Sequence, residues 1–190
     1  MGVVNGGQLA ATRNLNTGGV TGAISRIPFM ITTPTTVQNT TTETSLLSTV
    51  AAIGSKTIPA NYFTSGSLFK IYMTGTAATA LVLPSITMKL YFGATVLASS
   101  NVTFVAQLVD PVYWEFTATC IVTSTGASGA ITSGTVMWLT SLGALGPYIG
   151  PQSQTVDTTA AGDIDVKVTW GTASNSNVIR CLSGYVELMG

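Results

Sequence analysis

Three carboxylates in the last third of the chain are the residues whose types and spacing best suit chemistry. Asp163 and Asp165 alternate with apolar residues and so share one face of an extended strand, with Asp157 shortly before them. Paired carboxylates are the tools of glycoside hydrolysis, and three together suit a calcium ion. General acid work, however, requires one carboxyl to be desolvated. Asp163 and Asp165 face away from Ile164, Val166, Val168 and Trp170, so the expectation is a solvated acidic edge that also discourages stray strand pairing.

Other chemistry is scarce. The chain has no histidine, which removes the commonest general base and the Ser-His and Cys-His nucleophile pairs. Cys120 and Cys181 fall inside strand-like runs and read as small core thiols, with a disulfide between them left open. Without histidine or a Cys-x-x-Cys a zinc site lacks its ligands, and no metal or cofactor is expected. Gly54-Ser55-Lys56-Thr57 has the flavour of a phosphate loop, but Ser55 interrupts the Gly-Lys-Thr core and no helix follows. Asn39-Thr40-Thr41 and Asn101-Val102-Thr103 match glycosylation acceptors in a chain rich enough in threonine to produce them by chance. No catalytic residue is assigned.

The charge pattern excludes further classes. Charged residues make up 7 % of the 190 residues, against about 25 % in an average protein. Seven basic and seven acidic residues cancel, and the basic ones are scattered, so nucleic acid is not an expected partner. A polar, weakly charged surface suits a subunit of a permanent assembly. The first residues carry no charged-then-apolar leader, and no apolar run is long enough to span a membrane. Neither export nor a membrane partner is expected.

The elements that would position any site are strands. Asp163 to Trp170 alternates strictly, and after a turn through Gly171 to Ser176 the run Asn177 to Met189 is expected to return as its hairpin partner. Phe69, Ile71 and Met73 share a face, as do Ile86, Met88, Leu90 and Phe92, and these two runs are expected to form a strand pair. Trp114, Phe116, Ala118, Cys120 and Val122 point one way in the most aromatic strand. Ile131 to Thr140 reads as another strand with apolar residues on both faces. Ser141 to Thr155 reads as a long Gly/Pro loop. Residues 1–36 lack a sustained period and form an extended N-terminal arm, and residues 37–190 form the domain. Some eight strands with no amphipathic helix argue an all-β, antiparallel two-sheet sandwich, a single jelly roll, with an immunoglobulin-like sandwich as the alternative.

The run Asp157-Thr158-Thr159-Ala160-Ala161-Gly162 leading into Asp163–Trp170, with Ala173-Ser174 and the closing Gly184-Tyr185-Val186-Glu187-Leu188, has a recognisable order. Together with Asn39-Thr40-Thr41-Thr42-Glu43-Thr44 and Ile58-Pro59-Ala60-Asn61, it resembles β-sandwich structural proteins of tailed bacteriophages. These include jelly-roll head-decoration (cement) proteins and tail-fibre modules, and the likeness covers most of the chain after Thr35. The resemblance implies a virion protein, homotrimeric, assembled in the host cytoplasm. Its partners would be its own copies and the major capsid protein, with the arm lying across neighbouring subunits at the capsid surface. The alternative it implies is a tail-fibre or lectin-like module reading host glycans, with Tyr72, Tyr91 or Tyr113 as exposed stacking platforms. An enzyme is the third and least supported reading.

Overall fold

A computed structural model describes residues 27–48, 52–79, 84–103, 111–139 and 149–189, with the short pairs 13–14 and 23–24; residues 13–14, 23–24, 135–139 and 149–151 are described by backbone alone. Among these residues every regular element is a strand. In chain order they are β1 (Arg13–Asn14), β2 (Ala23–Ile24), β3 (Phe29–Ile31), β4 (Thr35–Gln38), β5 (Thr44–Ser45), β6 (Ala52–Gly54), β7 (Thr57–Ile58) and β8 (Leu68–Ala78). There follow β9 (Ser85–Phe92), β10 (Thr95–Thr103), β11 (Val112–Ser124), β12 (Gly129–Leu139), β13 (Ile149–Val156), β14 (Gly162–Trp170) and β15 (Val178–Met189).

Two antiparallel sheets face each other. The larger runs β13-β12-β11-β8-β15-β3-β6, with β4 also paired to β15; the smaller runs β10-β9-β14-β5, with β7 also on β14. Two edges are interrupted. β3 and β4 lie end to end along β15, broken at Thr32-Thr33-Pro34, where proline has no N–H to give a ladder. β5 and β7 lie in the same way along β14, and between them the chain leaves to add β6 to β3.

Counting each interrupted pair as one span and setting aside the β12–β13 hairpin and the short β6, the sheets read 1-8-3-6 and 2-7-4-5 in chain order. That is a jelly roll. It is equivalent to one long antiparallel ribbon wound on itself, in which 4 pairs 5, 3 pairs 6, 2 pairs 7 and 1 pairs 8. The ribbon's tip is the two-residue turn Gly93-Ala94 between Phe92 and Thr95. Gly93 has φ +57°, at the first central position where a type II′ turn selects glycine.

The core fills the gap between the sheets. Phe69, Ile71, Met73, Trp114, Phe116, Val122, Val186 and Leu188 enter from the larger sheet, and Ile86, Met88, Leu90, Phe92, Ile164, Val166, Val168 and Trp170 from the smaller, all buried. The inward faces read from alternation are thus the observed ones. Trp114 and Trp170 are the largest fully buried side chains, and the Trp170 indole N–H donates across the gap to the Val37 carbonyl at 3.4 Å. Ser133 in β12 donates to the Leu97 carbonyl of β10 at 2.9 Å, tying the sheets on the other side.

Four expectations are corrected. β14 and β15 are not a hairpin: β14 pairs β9, β5 and β7, whereas β15 pairs β8, β3 and β4. β8 and β9 likewise belong to different sheets. Consecutive strands here cross between sheets to face one core, and alternation marks a face without naming a neighbour. The loop expected from Ser141 to Thr155 contains β13, an edge strand, where Gly150 and Pro151 are tolerated because one side of the ladder is free. The boundary at residue 36 falls inside β4, since Phe29 to Gln38 already line β15. The rest of the proposed arm lies outside the described residues except for Ile27, Pro28 and the strands β1 and β2, which pair with each other.

β15 also carries a bulge. Cys181 opposes Gly75 and Ser183 opposes Thr74, leaving Leu182 as the extra residue. The strand is pressed against β8 there: a Cβ on Gly75 would lie 1.8 Å from the Arg180 carbonyl oxygen. Only glycine permits that approach.

Candidate functional site

The two faces turned away from the core are built differently. On the smaller sheet, Asp163, Asp165 and Lys167 project outward as their alternation requires, but they do not meet bulk water freely. The segment from Glu43 to Thr57 crosses this end of the sheet and engages them. Lys56 Nζ donates to Asp165 Oδ2 at 2.8 Å, and the Ser45 hydroxyl donates to Asp165 Oδ1 at 2.6 Å. The Lys56 and Asp165 side chains are only 10 % and 8 % exposed. Thr57 donates to Asp163 Oδ1 at 2.6 Å.

The solvated acidic edge is therefore corrected at Asp165, which is a buried ion-pair member. The interrupted phosphate-loop motif turns out to contribute its lysine to that pair. Asp157 stays apart, accepting from both the backbone N–H and the hydroxyl of Thr159, and these bonds hold its carboxyl below the ordinary range. Among the described residues no three His, Cys, Asp or Glu side chains gather as metal ligands would. Cys120 and Cys181 are free and buried, and burial pushes both thiols up, Cys181 to about 12.

Tyr91, expected as an exposed platform, is buried on this same face. Its hydroxyl donates to both Glu43 oxygens, at 2.7 and 2.8 Å, and Lys167 Nζ sits 4.5 Å from the ring centroid. Lys89 Nζ completes the cluster, 3.1 Å from Glu43 Oε2. The Tyr91 hydrogen bond, aided by Lys89 and Lys167, holds the Glu43 carboxyl below its ordinary value against the opposing effect of burial.

The outer face of the larger sheet has no such strap among the described residues. Antiparallel register lines its outward residues into rows across the strands. One row reads Ile53, Met30, Tyr185, Tyr72, Thr117 from β6 to β11. The Tyr72 and Tyr185 rings lie 5.7 Å apart at 31°, both half-buried. Burial raises the Tyr72 hydroxyl's pKa, and the hydrogen-bonded Glu115 carboxylate raises it further. Glu115 reaches Tyr72 diagonally, since it stands opposite Thr74. The next row holds Glu187, Lys70 and Thr119.

Toward the other end, Arg180, Thr76 and Tyr113 form a row, with Tyr113 64 % exposed. Of the three tyrosines proposed from sequence, Tyr72 and Tyr113 share this face and Tyr91 does not. Sequence reading missed Tyr185, Glu115 and Arg180. The broken alternation at Arg180-Cys181-Leu182-Ser183-Gly184, with Leu182 and Ser183 both exposed, was the available signal for a bulge.

No protein-family model and no curated protein matches the chain. Among solved structures it is similar to the CBM2 module of the evolved Dit of Lactobacillus casei BL23 phage J-1, at 14% identity and a TM-score of 0.31 over 83% of this chain and 75% of that one. It is also similar to lectin I-B4 of Griffonia simplicifolia in its metal-free form, at 9% identity and 0.35 over 83% and 94% of the two chains. A legume lectin-like domain from Entamoeba histolytica gives 9% and 0.30 over 70% and 78%. Likenesses this distant carry no argument about function.

Two outcomes follow for the strapped face. Lys56→Met leaves the Asp165 carboxylate buried without its cation and is expected to cost about 3–5 kcal/mol in denaturant unfolding, a loss that Lys56→Met with Asp165→Leu should largely reverse. Glu43 has a depressed folded pKa, so it stabilises above the ordinary carboxylate range and loses that effect as pH falls through the folded value. Glu43→Gln should therefore melt below wild type at neutral pH, and the two melting curves should converge under acid conditions.

Proposed function

We propose that the protein is a non-catalytic β-sandwich module that binds glycans through the outer face of its larger sheet. The observation that carries this reading is the Tyr72–Tyr185 pair, held on a sheet face that no strap crosses among the described residues, with Glu115 at the Tyr72 hydroxyl. Tyrosine supplies broad, rigid, amphipathic contact at small entropic cost. A sugar ring presents apolar C–H faces rimmed by hydroxyls, and an aromatic pair flanked by carboxylates, a lysine and threonine hydroxyls offers the complement to both. A protein partner would ask for a more continuous apolar centre. Turnover is not part of the proposal: Asp163 and Asp165 are engaged by Thr57, Ser45 and Lys56. The sequence resemblance to tailed-phage structural proteins fits a virion component that meets the host surface.

A second reading, a capsid decoration subunit assembling as a homotrimer, has one observation in its favour. At the β6 edge of the same sheet Ile53 and Met30 stand opposite each other, 61 % and 42 % exposed, an apolar step suited to a neighbouring copy.

Screening the full chain on a glycan array should give retained glycans whose affinity falls about tenfold or more in Tyr72→Ala and Tyr185→Ala; an array without hits, or hits indifferent to both substitutions, overturns the glycan reading. Light scattering tests the second. Under it the wild type is a trimer that Ile53→Asp with Met30→Asp converts to a monomer, and a monomeric wild type removes the preformed trimer.

A further inference from the structure

The far end of the same face holds a feature that the tyrosine pair does not use. A half-open cavity of about 290 Å³ is lined by Gln38, Thr76, Ala78, Pro111, Val178 and Arg180. Arg180 is exposed and makes no ion pair or side-chain hydrogen bond among the described residues. Glu115, one row nearer the tyrosines, is occupied by the Tyr72 hydroxyl. The Leu182 bulge and the glycine at position 75 set the backbone that carries Arg180; bulges of this kind gather where a strand must re-aim a side chain. Tyr113 closes the row on the other side of Thr76.

We propose that this end of the face is a subsite for the carboxylate of an acidic sugar, deepening the glycan-binding reading on which it rests. A guanidinium presents a planar fork of N–H donors that matches a carboxylate in two parallel hydrogen bonds. Thr76 offers a hydroxyl beside it, and the Tyr113 ring flanks the row as an apolar wall for the sugar. Four residues along β8 separate Thr76 from Tyr72, about 13 Å at 3.3 Å per residue, so one short oligosaccharide can lie on the tyrosine pair and reach Arg180. The occupant is thus an oligosaccharide carrying uronate-type units, read by shape at one end and by charge at the other.

The test is titration calorimetry of the full chain with oligosaccharides of galacturonate, glucuronate and mannuronate, each beside its carboxyl-reduced counterpart. At least one acidic form is expected to bind about tenfold tighter than its reduced partner, with the preference shrinking as salt rises. Arg180→Gln should erase that preference while leaving affinity for the reduced chain, and Arg180→Lys, keeping charge without the fork, should retain part of it. Tyr72→Ala should weaken both forms together. Equal binding of acidic and reduced chains, or a preference that survives Arg180→Gln, overturns the subsite and leaves the glycan reading standing. Silence of the wild type toward these chains and toward a neutral glycan array overturns both.

Discussion

The strands of the two sheets have to put one face toward a single apolar slab while their backbones find hydrogen-bonding partners alongside. The slab is closed by Trp114 from one sheet and Trp170 from the other, and Trp170 ties itself to the opposite sheet through the Val37 carbonyl. A chain that met this demand with sequential hairpins alone would give two separate meanders. The wound ribbon instead interleaves early and late segments in both sheets, so each sheet depends on the other for its order. The alternation of inward and outward residues then leaves no freedom on the outside. Tyr72 and Tyr185 are neighbours because their inward flankers are committed to the core and the β8–β15 register fixes who stands opposite whom.

The two outer faces are consequently unequal in what they offer a partner. The smaller sheet spends its charged groups internally: Glu43, Ser45, Lys56 and Thr57 come from one crossing segment and engage Tyr91, Asp165 and Asp163. The same segment is the one that leaves the smaller sheet to form β6 and returns as β7, so the ion pair secures the point where an interrupted edge is most exposed to fraying. The larger sheet keeps aromatic rings, carboxylates and an arginine on its outer side.

How much of this the sequence disclosed depends on the range of the cause. Period-two alternation is local, and it located the inward residues of β8, β9, β11 and β14 and the sandwich class. Pairing is non-local, so the same alternation made β14 and β15 look like a hairpin although both simply face one core. β13 was hidden because Gly150 and Pro151 speak against a strand unless the strand is known to be an edge. Asp165 looked solvated because its partner Lys56 is 109 positions away, and Tyr91 looked exposed because its partner Glu43 is 48 positions away. Of the candidate face, Tyr72 and Tyr113 were legible as outward aromatics, whereas the company of Tyr185, Glu115 and Arg180 required the register.

The winding order also governs when the molecule can come into being. β15 is the partner of β3, β4 and β8, so the centre of the larger sheet has a gap until residues 178–189 have left the ribosome. Early strands must wait with their ladders open, a long interval during which contacts distant in sequence are unavailable. The domain as a whole can therefore close only after β15 has emerged. Once β15 is seated it has partners on both sides, so withdrawing it means breaking two ladders rather than one.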